Sequence, residues 1–310
     1  MIPMSEKFSI PKPHKVLELD MIDGAKIIIR QHGNLHGPRI VMSHGNGFAI
    51  DAYFPFWSHL LQDYELCLYD QRSHGWNPRH DNLVHHDVPY FTLDMDTVLI
   101  NIAKSFGYKS TAGIFHSISA ITSFRHALEF EKCWDALILF DPPFVMPPMH
   151  SLHNISQDFE FKMAEWSINR PEFFKSPDHL AQQFRSSKSL SRWITGSHEL
   201  MALNILRKQP LRNEWRLCCP PAGESRVYAT NASMNLTPHF SQIKGPLKII
   251  ASDPNDPNVR SPGLVNRDLH NTYQHEYEAV TGTTHMLQLE KPVECTKAVK
   301  DFFSSVGFCN

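Results

Sequence analysis

Short β-rich runs alternate with stretches of helical spacing along most of the 310-residue chain, and this alternation restricts the fold more than any other feature. Ile40 to Met42, Glu65 to Tyr69, Ala136 to Phe140, Leu247 to Ala251 and Glu278 to Val280 are compact strand-like runs bounded by Gly, Pro, Asp or His. Ala112, Ile114 and Phe115 read as the end of another buried strand. Between these runs, Asp51 to Leu61, Thr92 to about Phe106, Ile118 to Leu128 and Val293 to Ser304 predict helices. Thr92 is the expected cap of the second, Gly107 its stop, and Pro292 the first position of the last. Strands alternating with helices imply a mainly parallel sheet covered on both faces. Two earlier runs, Val16 to Met21 and Lys26 to Arg30, flank Asp23-Gly24, a hairpin signal.

The pattern breaks after Asp141. Prolines 142, 143, 147 and 148 form a linker, and roughly ninety residues of mostly helical character follow before Leu247 restores the strands. The expected organisation is a core in two parts, 1–143 and 241–310, with an inserted helical segment at 144–240.

In open parallel sheets, ligands sit beyond the carboxyl ends of the strands. His44, Ser117, Asp253 and His285 all fall at or just past such ends, so a single site can hold all four. Ser117 is the most informative. A strand turning abruptly into a helix throws the residue at the bend outward and points free helix N–H groups at whatever binds there. A serine in that place suits a nucleophile, which needs a base, an orienting carboxylate and donors for a developing oxyanion.

Phe115-His116-Ser117-Ile118-Ser119 resembles the nucleophile elbow, G-x-S-x-G, of the α/β-hydrolase family, with both glycines replaced. Ser119 keeps its position small, whereas Phe115 puts bulk where helix and strand approach closely. Ser119 as nucleophile would place Ile121 at the small position, so Ser117 is preferred. Gly282-Thr-Thr-His285, followed by apolar residues and Glu290-Lys-Pro292, is similar to the family's histidine segment and implies His285 as base. The resemblance places the acid after the preceding strand, in Ser252-Asp253-Pro-Asn-Asp256. Asp253 is favoured and Asp256 is the alternative. Asp141 also follows a strand, but as the start of the proline-rich exit it reads as structural. His44-Gly45-Asn46-Gly47 resembles the H-G-x oxyanion motif, which implies the backbone N–H groups of Asn46 and Ile118 as donors. Asp70-Gln-Arg72-Ser-His74-Gly75 is similar to the architectural D-x-R-G-H-G turn. Trp215 to Glu224 is similar to a leucine, cysteine, proline, acidic stretch of cap-bearing members. The resemblance runs from about Ile10 to Phe303. It implies an eight-stranded, mostly parallel α/β sheet with helices on both faces and an inserted helical cap.

The implied chemistry is hydrolysis of a carboxylic ester, thioester or lactone through an acyl-enzyme, with no metal or organic cofactor. The alternatives are a C–C bond hydrolase using the same serine, or a weakly catalytic protein that binds a small ligand. Serine rather than aspartate at position 117 argues against epoxide-hydrolase and haloalkane-dehalogenase chemistry. Apolar residues of the insertion, among them Met146, Phe159, Met163, Trp166, Trp193 and Met201, suggest a small-molecule substrate with an apolar or aromatic acyl group.

Composition removes several other classes. A hydrophobic share of 42% and a charged share of 20% are those of a globular protein. A net charge of −2 provides no basic field for nucleic acid. No apolar run approaches the ~20 residues of a membrane span, and the first residues lack the apolar core of a signal peptide. The six cysteines form neither metal-site nor disulfide-framework spacing, so a reducing, cytoplasmic setting is expected. Of the 19 histidines, His85 and His86, followed by Asp87, invite a metal reading, but with no second cluster at ligand spacing they are expected in a solvated loop.

Overall fold

The structure is a computed structural model that describes residues 8–130 and 134–308. Eight strands form one sheet: β1 (Lys15–Asp20), β2 (Lys26–Gly33), β3 (Arg39–Ser43), β4 (Glu65–Tyr69), β5 (Thr111–His116), β6 (Ala136–Phe140), β10 (Leu247–Ser252) and β11 (Glu276–Val280). Their spatial order is β1-β2-β4-β3-β5-β6-β10-β11. β1 and β2 form an antiparallel hairpin, β2 pairs antiparallel with β4, and the remaining pairs are parallel. Gly24 takes a φ of +83° at the hairpin turn.

The central strands read as unbroken apolar runs because both of their faces are buried. Ile40 and Met42 face one core while Val41 faces the other, and Leu66 and Leu68 alternate with Cys67 and Tyr69 in the same way. Helices α2 (Val88–Phe106), α3 (Ile118–Glu129) and α8 (Ser261–Tyr273) cover the Val41 face; α1 (Phe54–Trp57) and α10 (Pro292–Ser305) cover the other. The chain leaves β3 toward β4 on one side and returns to β5 on the other. The strand order therefore reverses between β3 and β5, and a crevice forms at their carboxyl ends.

Between β6 and β10 the chain leaves the sheet, and the excursion is not purely helical. It holds α4 (His153–Ile168), α5 (Pro177–Ser186), α6 (Ser197–Ile205) and α7 (Pro221–Asn231). It also holds a small antiparallel sheet of β7 (Phe173–Phe174), β9 (Trp215–Leu217) and β8 (Leu206–Lys208), in that order. These strands are two or three residues long, too short to show a period in sequence.

Other boundaries also shift. α2 begins at Val88, with Pro89 in its first turn and the Asp87 side chain accepting from Tyr90 N–H, so Asp87 and not Thr92 is the cap. The expected Asp51–Leu61 helix is a run of 3₁₀ turns around the four-residue α1, and α9 is the short turn Leu287–Glu290. His86 lies in no solvated loop: it is fully buried, in space left by Gly223, where a Cβ would come 2.7 Å from His86 Nδ1. Asn231 is also buried and bonded to Pro143 O and Glu160. Cys67, Cys218, Cys219 and Cys295 are free and buried; Cys133 and Cys309 lie outside the described residues. No described helix is long and apolar enough to cross a membrane.

Candidate active site

Ser117 stands at the junction of β5 and α3 with φ 56° and ψ −123°, a backbone conformation costly for any residue with a Cβ. Its surroundings hold it there. Its N–H donates to Phe140 O at 2.9 Å, and its carbonyl accepts from Ala120 and Ile121, the first turn of α3. Ser119 fills the second glycine position and tightens the bend, its Oγ accepting from His116 N–H at 3.0 Å and donating to His116 O at 2.9 Å. That hydroxyl is fully buried.

Phe115 at the first glycine position is accommodated two residues upstream. Side chains two apart on a strand share a face, and the residue two before Phe115 is Gly113. A Cβ on Gly113 would meet the Phe115 ring at 2.6 Å. The glycine has in effect moved back by one strand period, and the ring packs edge-on against Trp134.

His285, in the loop after β11, faces Ser117. Its Nε2 lies 3.0 Å from Ser117 Oγ, and its Nδ1 lies 2.7 Å from Asp141 Oδ2. A carboxylate only accepts, so the Nδ1 proton belongs to this bond and the Nε2 lone pair faces the hydroxyl. Glu290 holds the loop from below, accepting from Thr284 N–H and from the Thr284 hydroxyl.

The carboxylate at His285 is therefore Asp141, which corrects the expectation of Asp253. Asp253 instead ties together the loops after β10 and β11, accepting from Gly282 N–H at 2.8 Å and Asn255 N–H at 2.9 Å. Asp256 pairs with Arg192. Sheet register explains the difference. His116 lies opposite Phe140 in the parallel β5–β6 pair, so residue 141 leaves the sheet level with residue 117, one strand spacing of about 4.8 Å away. β10 is a second strand further off. Asp141 is fully buried with φ 42°, and its carboxylate accepts from Ser252 N–H and Oγ–H at 3.1 Å and from Asn266 Nδ2 at 3.3 Å. The only sequence hint was its place directly at a strand end before Pro-Pro.

The loop after β3 closes over the bend. Gly45 is needed because a Cβ there would come 3.0 Å from His116 Nδ1 and 3.2 Å from Ser117 Cβ. Among the described residues, no intramolecular acceptor takes the N–H of Asn46 or of Ile118, the two expected oxyanion donors. The loop is braced by neutral imidazoles. His74 donates from Nδ1 to Arg72 O and accepts Gly47 N–H at 3.0 Å, and burial depresses its pKa to about 4. His44 donates to Gly45 O and accepts Gln71 N–H, and burial also lowers its pKa. Beneath both, Asp70 bridges Arg30 and Ile50 N–H, and Gly75 leaves room for the Asp70 carboxylate, which a Cβ would meet at 2.1 Å. The Asp70–Gly75 turn is thus architectural, as expected.

One connection was not foreseen. His116 is fully buried, and burial together with the neighbouring His285 holds its pKa well below the usual value. Its Nε2 lies 2.9 Å from His285 O, an acceptor, so Nε2 carries the proton. Its Nδ1 must then accept from Tyr53 O–H at 2.8 Å, and the Tyr53 oxygen accepts Gly45 N–H at 3.3 Å. A single chain of three hydrogen bonds links the loop after β3, the bend after β5 and the His285 backbone. Tyr53 carries no sequence signal, since only the fold brings it to His116.

Among the described residues, no three or more His, Cys, Asp or Glu side chains are grouped to hold a metal ion.

No family model matches this sequence, and no curated protein matches it. Solved structures do. The chain is similar to E-2-(acetamidomethylene)succinate hydrolase, with a TM-score of 0.76 and 15% identity over 94% of this chain and 99% of that one. It is similar to the thioesterase domain from the curacin biosynthetic pathway, with a TM-score of 0.70 and 16% identity over 92% and 99%. It is similar to a thermophilic esterase from Thermogutta terrifontis, solved with malate bound, with a TM-score of 0.67 and 15% identity over 94% and 99%. With sheet order, elbow and near-complete coverage in agreement, the chain has the α/β-hydrolase fold.

Proposed function

We propose that this protein is a serine hydrolase that cleaves a carboxylic ester or thioester through an acyl-enzyme. Ser117 is the nucleophile, His285 the base and Asp141 the orienting acid, with Asn46 and Ile118 N–H as oxyanion donors. The observation that carries this reading is the line from Ser117 Oγ through His285 to Asp141, with links of 3.0 Å and 2.7 Å, built on a strained elbow. His285 Nε2 takes the proton of Ser117 as its oxygen attacks the carbonyl. The imidazolium that forms is stabilised by Asp141, and the two free N–H groups lie on the loop after β3 and at the first residue of α3. The same imidazole returns the proton to the leaving group, then activates the water that releases the acyl group. The names of two neighbours, an esterase and a thioesterase, support this bond class.

Residues 144–240 act as a cap over the crevice. Phe159 on α4 stands edge-on to the His285 ring at 6.5 Å, which supports a substrate with an apolar or aromatic acyl part.

A fluorophosphonate probe tests the mechanism. The wild-type protein is expected to be labelled at Ser117, and Ser117→Ala to remain unlabelled. Wild-type protein that is folded yet unlabelled would refute a serine nucleophile. A panel of ester, thioester, lactone and diketone substrates then assigns the bond.

A further inference from the structure

One face of α4 starts beside His285 and, further along, borders a cleft. Phe159 stands over His285, and Met163, Trp166 and Arg170 follow at spacings of four, three and four residues, which keeps them on one side of the helix and of the turn that continues it. From Phe159 to Arg170 the rise is about 16 Å. The far half of this face borders a cleft of about 590 Å³ between α4 and α5, walled on the opposite side by Phe174, Leu180 and Phe184.

The cleft is apolar along its wall and cationic at its end. Arg170 is set from two directions. Its Nη1 donates to Glu224 Oε2 at 2.7 Å, and its guanidinium lies 5.0 Å from the centre of the Trp166 ring. Glu224 is itself locked against the loop after β3. Its carbonyl accepts from Asn46 Nδ2, and its carboxylate fills the space beside Gly47, where a Cβ would come 2.5 Å from Oε1. Among the described residues, Nη2 and Nε of Arg170 have no acceptor. Lys162 borders the same cleft and makes no ion pair among the described residues; Glu165, exposed like Lys162, borders it as well. A guanidinium held by an acid behind it and an aromatic face beside it, with its remaining N–H groups unpaired, fits a carboxylate.

We propose that the substrate of this site carries a carboxylate at the end of its acyl chain remote from the scissile bond, bound by Arg170 with help from Lys162 while the apolar chain lies along α4. This rests on the serine-hydrolase reading for its reaction, but not for its binding site. Arg170 acts on substrate selection and touches no reacting atom.

The test compares the mono-p-nitrophenyl esters of suberic, dodecanedioic and tetradecanedioic acids, because the reach to Arg170 sets which length fits, each with the uncharged p-nitrophenyl ester of the same chain length. At the length that fits, the wild-type protein is expected to favour the anionic ester about tenfold in kcat/KM, mainly through KM. That ratio is expected to fall close to one in Arg170→Gln and about two- to threefold in Lys162→Met, a substitution on an exposed position that leaves the fold testable if the first variant does not fold. Separately, the three free diacids are titrated calorimetrically into Ser117→Ala and into the same protein carrying Arg170→Gln or Lys162→Met, with weaker binding expected in each double variant. Hydrolysis without preference for the anionic ester at any of these lengths, or a ratio unchanged by either substitution, overturns the carboxylate subsite and leaves the hydrolase reading intact. Diacid binding weakened by these substitutions in a protein that cleaves none of the esters supports the subsite and counts against the hydrolase reading.

Discussion

Asp141→Asn is the sharpest test of the site, because the structure dictates which way the new amide must face. Asp141 Oδ1 receives Ser252 N–H and Asn266 Nδ2, both donors, while Ser252 Oγ–H lies 3.1 Å from both carboxylate oxygens. The amide oxygen of the asparagine therefore stays on the Oδ1 side and its NH₂ group faces His285. An NH₂ group donates, so His285 Nδ1 must accept and its proton moves to Nε2, the nitrogen 3.0 Å from Ser117 Oγ. An imidazole in that tautomer cannot take the serine proton. The equivalent exchange in a serine protease lowers kcat about 10⁴-fold. At 1.36 kcal/mol per decade that is about 5.4 kcal/mol of barrier. Asp253→Asn keeps an acceptor for only one of Gly282 N–H and Asn255 N–H, but its side chain bonds to none of Ser117, His285 and Asp141, so a change within about threefold is expected. The assay is steady-state hydrolysis of p-nitrophenyl butyrate, with thermal melts of all variants to verify folding. A loss of 10³-fold or more in Asp253→Asn, alongside Asp141→Asn within tenfold of wild type, would refute the assignment of the acid.

Two other perturbations probe what supports the site. Tyr53→Phe leaves Gly45 N–H and His116 Nδ1 without partners. It should lower kcat by about ten- to a hundredfold with KM nearly unchanged, on an expected loss of about 1–3 kcal/mol at a buried pair; an unchanged kcat in a folded variant would show that the hydrogen-bond chain through His116 does not position the reacting groups. Glu160 in α4 is fully buried, and burial raises its pKa from 4.5 to about 8, opposed only by the Asn231 hydrogen bond. Between those values the folded protein holds a proton that the unfolded chain has lost, so stability is full below about pH 4.5 and declines as pH rises toward 8, by up to about 1.4 kcal/mol per unit. Glu160→Gln keeps the acceptor for Asn231 and removes this titration. Its melting temperature should be near wild type at pH 5 and several degrees higher at pH 8; an equal offset at both pH values would show that Glu160 does not titrate in this window.

What could be read from the chain was whatever depends on near neighbours. Strands buried on both faces have apolar runs, a helix needs a stop such as Gly107, and the serine at a strand–helix bend is a local feature of five residues. His285 was legible for the same reason, since Gly282 to Pro292 is one continuous segment whose Glu290 holds Thr284. Phe115 looked like an obstacle until the space left by Gly113, two residues away on the same face, came into view. The carboxylate that meets His285, the Tyr53–His116 connection, the burial of His86 and the latch of Glu224 on Asn46 were decided by tertiary structure alone. Each joins segments whose separation in sequence carries no distance information. Which of several carboxylates meets His285 depends on the pairing of β5 with β6, and register is settled by how whole strands pack, not by the few residues that use the result.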